Sequence, residues 1–228
     1  MKPIAEEFPK WQEWASRIEA DVGMRLVHPR PVFRGFVDIV NANAEHFAAH
    51  EGDVFFSFVR RCYVANAATA IRSHAKKRDS GSFARLLAEI RDCATKFTFQ
   101  FYLQQFPIDP TYVNWQTVTF SPFTEDGATV SPQFVQKDID CLNQLAEKVE
   151  TLVDRTLAHL DPRGFEASLT FGELDECVDA FDRLVCKYLK LIVGGGPTTL
   201  EPTILSDWTK VFTVPFDIRL KKGRRETK

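Results

Sequence analysis

The feature that most constrains this chain is apolar residues recurring every three or four positions, in long runs stopped by proline and glycine. Ile4, Phe8, Trp11, Ala15 and Ile18 share one helical face, the stripe an amphipathic helix buries against a neighbour. That helix is expected to end near Gly23. Pro31 suits the first position of a second helix, where its missing N–H costs nothing. Val32, Phe36, Ile39, Val40, Ala44 and Phe47 form the predicted stripe of that helix, which runs toward Gly52. Asp53 is placed to cap a third helix reaching about Lys77. Its expected buried face holds Phe55, Phe56, Val59, Cys62, Tyr63, Asn66, Ala67, Ala70 and Ile71.

Residues 79–82 read as a turn, and Ser82 as the cap of a helix through Phe83, Leu86, Leu87 and Ile90, extending toward Phe106. Between Pro107 and Pro132 the helical period is lost. The alternation in residues 111–120 fits a short strand or hairpin arm, and an irregular insertion fits equally. Ser131 and Pro132 then open a helix carrying Phe134, Val135, Ile139, Leu142, Leu145, Ala146, Val149, Leu152 and Val153 to about Leu160, stopped by Pro162 and Gly164. Thr170 and Glu173 have capping-box spacing. They open a helix carrying Leu174, Val178, Phe181, Val185, Tyr188 and Ile192, stopped by Gly194 to Gly196. One short helix is expected around Leu205 to Phe212. The fold class is all-α: a single-domain bundle of five or six long helices with one irregular insertion near 107–132.

Composition agrees. Of 228 residues, 44% are hydrophobic and 26% charged, which excludes a disordered or fibrous chain. The 20 Phe point to an aromatic core. The net charge of −2 is uneven: residues 217–228 carry six basic and two acidic side chains, leaving the remainder at −6. That basic tail reads as a solvated terminus or as an anion-binding arm. Cysteines 62, 93, 141, 177 and 186 are odd in number and lack the two-residue gap of a zinc or redox motif. Five reduced, mostly buried thiols are expected, hence a reducing, cytoplasmic location. Neither a signal peptide nor a membrane-spanning run is apparent.

The chemistry-bearing residues are few. Arg155 and His159 stand four apart, on one helical face. Histidine moves protons near neutral pH, and arginine offers a planar fork to phosphate oxygens. The alternative is that His159 bonds a carbonyl or Asp161 while Arg155 pairs with a nearby acid. Arg72, Lys76, Lys77 and Arg78, with Arg60 and Arg61 upstream, form a basic run that fits a phosphate-binding face. Cations at a helix C-terminus explain the same run through the macrodipole. Arg163 joins these RNA-contact candidates. His46 and His50 have metal-ligand spacing, but Phe47 stands where a zincin motif needs glutamate, so no metal or cofactor is predicted. The glycine run at 194–196 lacks the Lys-Ser/Thr of a phosphate loop and reads as a helix stop. Trp115 fits base stacking or core packing.

DRTLAHLD (154–161), followed by TFGELDECVDAFDRLVCKYLKLI (170–192), resembles the helical HEPN superfamily, in particular its abortive-infection, AbiU-type branch. AIRSHAKKRDSGSFARLLAEI (70–90) is similar to that branch's third helix, polar turn and following helix, and DWTKVFTVPF (207–216) to its closing segment. The resemblance implies an all-α, commonly dimeric bundle. It also implies a metal-independent ribonuclease site built from an Arg and a His contributed by both subunits, with four to six residues between them in the sequence. In that chemistry the ribose 2′-hydroxyl attacks, the His moves protons and the Arg steadies the phosphorane. RNA, a homodimer partner and an antitoxin or other phage-defence partner are implied with it, with no membrane partner. His159 matches the family His. Arg155 departs from the pattern, with only three residues between it and His159, and the positions five and six before the His are Asp154 and Val153. The alternative from a different class is a non-catalytic helical interaction or scaffold module, in which Arg155 and His159 bond internally.

Overall fold

In a computed structural model, residues 3–49, 52–76, 81–107, 115–152, 170–204 and 206–213 are described. They form an all-α bundle, with no β-strand among them beyond one isolated bridge between Thr98 and Thr129.

Helix α1 (Ile4–Val22) buries Phe8, Trp11, Ala15, Ile18 and Val22, the face its periodicity predicts. It does not stop at Gly23. The backbone widens into a π-helical turn (Gly23–Val27) and passes through His28 into α2 (Pro29–Ala42). Pro29, not Pro31, takes the first helical position. The wider turn changes the phase of the helix after it. The inward residues of α2 are therefore Arg30, Phe33 and Phe36, while Val32 faces out. The second helix also ends early. Asn43 turns its side chain back on the Ile39 carbonyl, 2.8 Å away, and its amide onto the Val40 carbonyl, a local alternative to continued helix. The short α3 (Ala44–Ala49) buries nothing.

Helix α4 (Gly52–Ala75) buries Tyr63, Ala67, Ala68, Ala70, Ile71, His74 and Ala75. Its first three turns depart from the expected stripe: Phe55 and Cys62 are exposed, and Phe56 and Val59 half-buried. Phe36 of α2 packs edge-on to Phe55 and stacks on Phe56, and Asn66 is exposed while donating to the Arg25 carbonyl at 2.8 Å.

Ser82 caps α5 (Phe83–Cys93) as expected, accepting from the Arg85 amide at 3.2 Å. The helix does not run on to Phe106. A 3₁₀ turn (Ala94–Lys96) ends it, and Thr98 caps a new helix, α6 (Phe99–Gln105), accepting from the Phe101 amide at 3.0 Å. The described part of the insertion holds α7 (Trp115–Phe120) and a 3₁₀ turn (Ser121–Phe123), not a hairpin arm. Phe120 and Phe123 anchor it in the core.

Helix α8 (Pro132–Leu152) buries Val135, Ile139, Leu142, Ala146 and Val149; the predicted continuation to Leu160, with Pro162 and Gly164, lies outside the described residues. Helix α9 (Phe171–Val193) opens with the predicted capping box and closes at Gly194 in the left-handed region, φ 77°. It packs along α1 and against α8, and α8 packs on α4 and α5. A last 3₁₀ turn (Trp208–Phe212) comes near the end, close to the predicted short helix.

The core is aromatic where these helices meet: Phe8, Trp11, Phe97, Tyr102 and Phe120 form edge-on and stacked pairs. All five cysteines are unpaired. Three are buried, but Cys62 is exposed and Cys141 half-buried. Among the described residues no helix is long and apolar enough to cross a membrane.

Candidate functional site

Of the predicted site residues, Arg155, His159, Arg163, Lys77 and Arg78 lie outside the described residues, as does His50. Arg72 and Lys76 are described. They stand in and just after the last turn of α4, both half-buried. Between them the helix carries His74, and the polar centre of this end of the bundle is built around that ring.

His74 is buried, with a relative exposure of 6%. Its Nε2 lies 2.8 Å from Oδ2 of Asp21 on α1. The same carboxylate oxygen accepts from Arg25 Nη1 at 3.2 Å. The His74 Nδ1 is buried with no hydrogen-bond partner. Nε2 therefore carries the proton and donates to the carboxylate, while Nδ1 keeps its lone pair. Burial lowers the proton affinity of the ring and outweighs the raising effect of Asp21; Arg25 lowers it further. At neutral pH His74 is an uncharged imidazole that fastens the basic end of α4 to α1. The edge of Phe181 on α9 closes the far side, with ring centroids 6.4 Å apart. Ser82 donates to the Lys76 carbonyl at 2.7 Å, so the α5 cap also ties down this end.

A second polar cluster joins α2, α4 and α9. The buried Arg30 guanidinium donates to Asp179, and Arg34 donates to Asp175 at 2.5 Å. The Tyr63 ring stacks on Phe33, with centroids 4.2 Å apart, and its buried hydroxyl has no partner. Burial, with Asp175 adding to it, pushes the Tyr63 phenol up to about 12. This cluster occupies the first turns of α9, directly after residues 153–169 in the chain. Neither cluster was expected. The acids Asp175 and Asp179, one turn apart on α9, are the only local trace of the second. Nothing local links Arg30 to an acid 149 residues away.

His46 is exposed on α3, and among the described residues no three His, Cys, Asp or Glu side chains converge as metal ligands do. Trp115 is half-buried with its ring edge-on to Tyr102, the packing alternative. Gly194 ends α9 in the left-handed region, as a helix stop does. Burial pushes the Cys177 and Cys186 thiols up to about 12, which removes both as thiolate nucleophiles near neutral pH. Comparison with protein-family models, curated proteins and solved structures finds no match.

Proposed function

We propose that this chain is an RNA-directed, HEPN-like helical protein of the phage-defence or toxin–antitoxin kind, acting as a homodimer in the cytoplasm and cutting RNA without a metal. The observation that carries the reading is the sequence of residues 154–192, which resembles the family across its His-bearing segment and the helix after it. The all-α architecture supports it, as does the position of that segment between α8 and α9, two long helices in contact.

In this reading His159 accepts the 2′-hydroxyl proton as the oxygen attacks phosphorus. The bond to the 5′-oxygen breaks, and a proton returns to that oxygen. Arg155, from the same or the partner copy, holds the charge that builds on the phosphorane oxygens. Arg72, Lys76, Lys77, Arg78 and Arg163 draw the strand in by its phosphates. The products are a 2′,3′-cyclic phosphate and a 5′-hydroxyl. Incubating the purified protein and its His159→Ala variant with mixed RNA in chelator tests this. Cleavage with cyclic-phosphate ends is expected from the first and not from the second. Equal cleavage by both, or none by either, removes the proposal.

One observation favours a second reading, a non-catalytic interaction module. At the start of α4, Val54, Phe55 and Phe58 are 66%, 55% and 58% exposed. Grouped exposed apolar side chains of this size mark surfaces used for association. Absence of cleavage by the wild-type chain would leave this reading standing.

A further inference from the structure

A groove of about 600 Å³ lies between α7 with its 3₁₀ turn and α9, and the chain beyond α9 closes its third side. Its volume is within the range of small-molecule sites, roughly 300–1,000 Å³. Along the α9 wall stand Arg183, Lys187 and Lys190. Their spacing of four and then three residues puts all three cations on one helical face. Lys187 is already matched. Its Nζ lies 2.7 Å from Asp138 Oδ2 and 4.8 Å from the centre of the Phe123 ring. Arg183 and Lys190 form no ion pair among the described residues.

The carboxylate in that wall does not serve them. Asp182 is turned to the closing chain, where it accepts from Thr199 Oγ1 and from the Leu200 amide, each at 2.6 Å. The opposite wall is apolar, from Val118 and Pro122, and the Thr198 hydroxyl lies on the third side. Thr119 lies in the opposite wall as well. The groove thus has a cationic wall with two unmatched charges and an apolar wall facing it.

We propose that this groove binds a nucleotide through two or more linked phosphates. Arg183 and Lys190 stand about 10 Å apart along the helix axis, with Lys187 between them. A single small anion meets one of them; a row of phosphates meets both. Arginine grips phosphate oxygens with its planar fork and lysine with a point charge. The base or sugar then rests on Val118 and Pro122. A nucleoside diphosphate and a short RNA strand share this chemistry. The site uses no residue of the proposed cleavage reaction and stands or falls apart from it.

The test uses the full chain. A fluorescent ADP analogue and a labelled single-stranded RNA are titrated by fluorescence anisotropy at low and high salt, against wild type, the double variant Arg183→Gln/Lys190→Gln, and His159→Ala. The double variant should weaken binding about tenfold or more, the loss of two charge-assisted contacts. His159→Ala, with its altered residue outside this groove, should bind the ADP analogue as wild type does. Binding of ADP alone identifies a free nucleotide, and binding of RNA alone a strand. Unchanged affinity in the double variant, or no binding of either probe, overturns the proposal. Hydrogen exchange on the wild type decides the matter independently should the variant misfold. Slowed exchange in both 118–123 and 197–200 on adding the bound probe supports the groove, and slowing in neither overturns it.

Discussion

Asp182→Ala tests how the chain beyond α9 is held. Asp182 is buried, and its carboxylate accepts two 2.6 Å hydrogen bonds from the closing chain, the Thr199 hydroxyl and the Leu200 amide, besides a weaker one from the Cys186 thiol at 3.6 Å on its own helix. The two losses are unequal. Thr199 is exposed, so its hydroxyl turns to water at little cost. Leu200 is buried, so its N–H is stranded, at about 1–3 kcal/mol. Removing a buried charge returns part of this. A net weakening of about 2 kcal/mol results for docking of residues 197–200, close to thirtyfold in the opening equilibrium. Because Leu200 is the only core residue after Gly194 among the described residues, the opening is local, and a global unfolding measurement can miss it. The assay is therefore hydrogen exchange at the Leu200 amide. Asp182→Ala should speed it about thirtyfold, while amides in α1 and α9 keep their rates. Asp182→Asn, which retains one acceptor oxygen, should fall between. Wild-type exchange at Leu200 in the alanine variant would refute the reasoning.

Two other single side chains give checkable outcomes. His74 binds its proton less readily folded than unfolded, so its contribution to stability is full above the ordinary value of 6.5 and is lost as pH falls through the lower folded-state value. The urea midpoint should drop as pH falls from 6.5 toward that lower value, and His74→Gln should flatten the drop; parallel curves for the two proteins would remove His74 as the cause. Gly194→Ala puts a Cβ at φ 77° and onto the Phe106 ring, costing about 2–4 kcal/mol from backbone strain and overpacking together. Gly127→Ala, at φ 76° with nothing near its Cβ, carries the backbone cost alone, so a thermal melt should separate the two, and equal shifts would show that Phe106 yields freely.

The features legible in the sequence are those that local chemistry decides. The buried face of α1, the Ser82 cap, the Thr170 and Glu173 box and the Gly194 stop each depend on residues within a few positions of one another. The misreadings share another cause. Nothing in residues 23–27 announces a π turn, yet that turn rotates α2 so that Arg30 and Phe33 face in and Val32 out. Asn43 and Thr98 are polar residues inside apolar runs, and each uses its side chain to end or restart a helix. The first turns of α4 carry a core-like pattern that stays largely exposed, with Val54, Phe55 and Phe58 open to solvent.

The polar clusters lie further out of reach, because each joins residues far apart in the chain: His74 with Asp21, Arg30 with Asp179, Arg34 with Asp175. Their energetics explain why they matter despite that. A buried guanidinium without an acid is unfavourable, and Asp179, whose side chain is itself 58% exposed, supplies that acid from the rim of the site. Arg30 is 7% exposed, and because the two arginines and the two acids are each one turn apart, sliding α2 along α9 by one turn breaks at least one of the two pairs. The Arg34 pair repeats the constraint one turn on, and the Phe33–Tyr63 stack fixes α4 to the same point. The first turns of α9 are thereby held to one register against two other helices. Those turns begin at Thr170, where the chain returns from the segment bearing Arg155 and His159. On the proposed reading, a cleavage site in that segment needs its two side chains placed to within a fraction of an ångström, and this polar joint holds the helix that follows it. If the chain cuts RNA as proposed, Arg30→Ala should impair cleavage without touching a reacting group, through loss of that anchor, and retained cleavage in a folded Arg30→Ala protein would separate the joint from the chemistry.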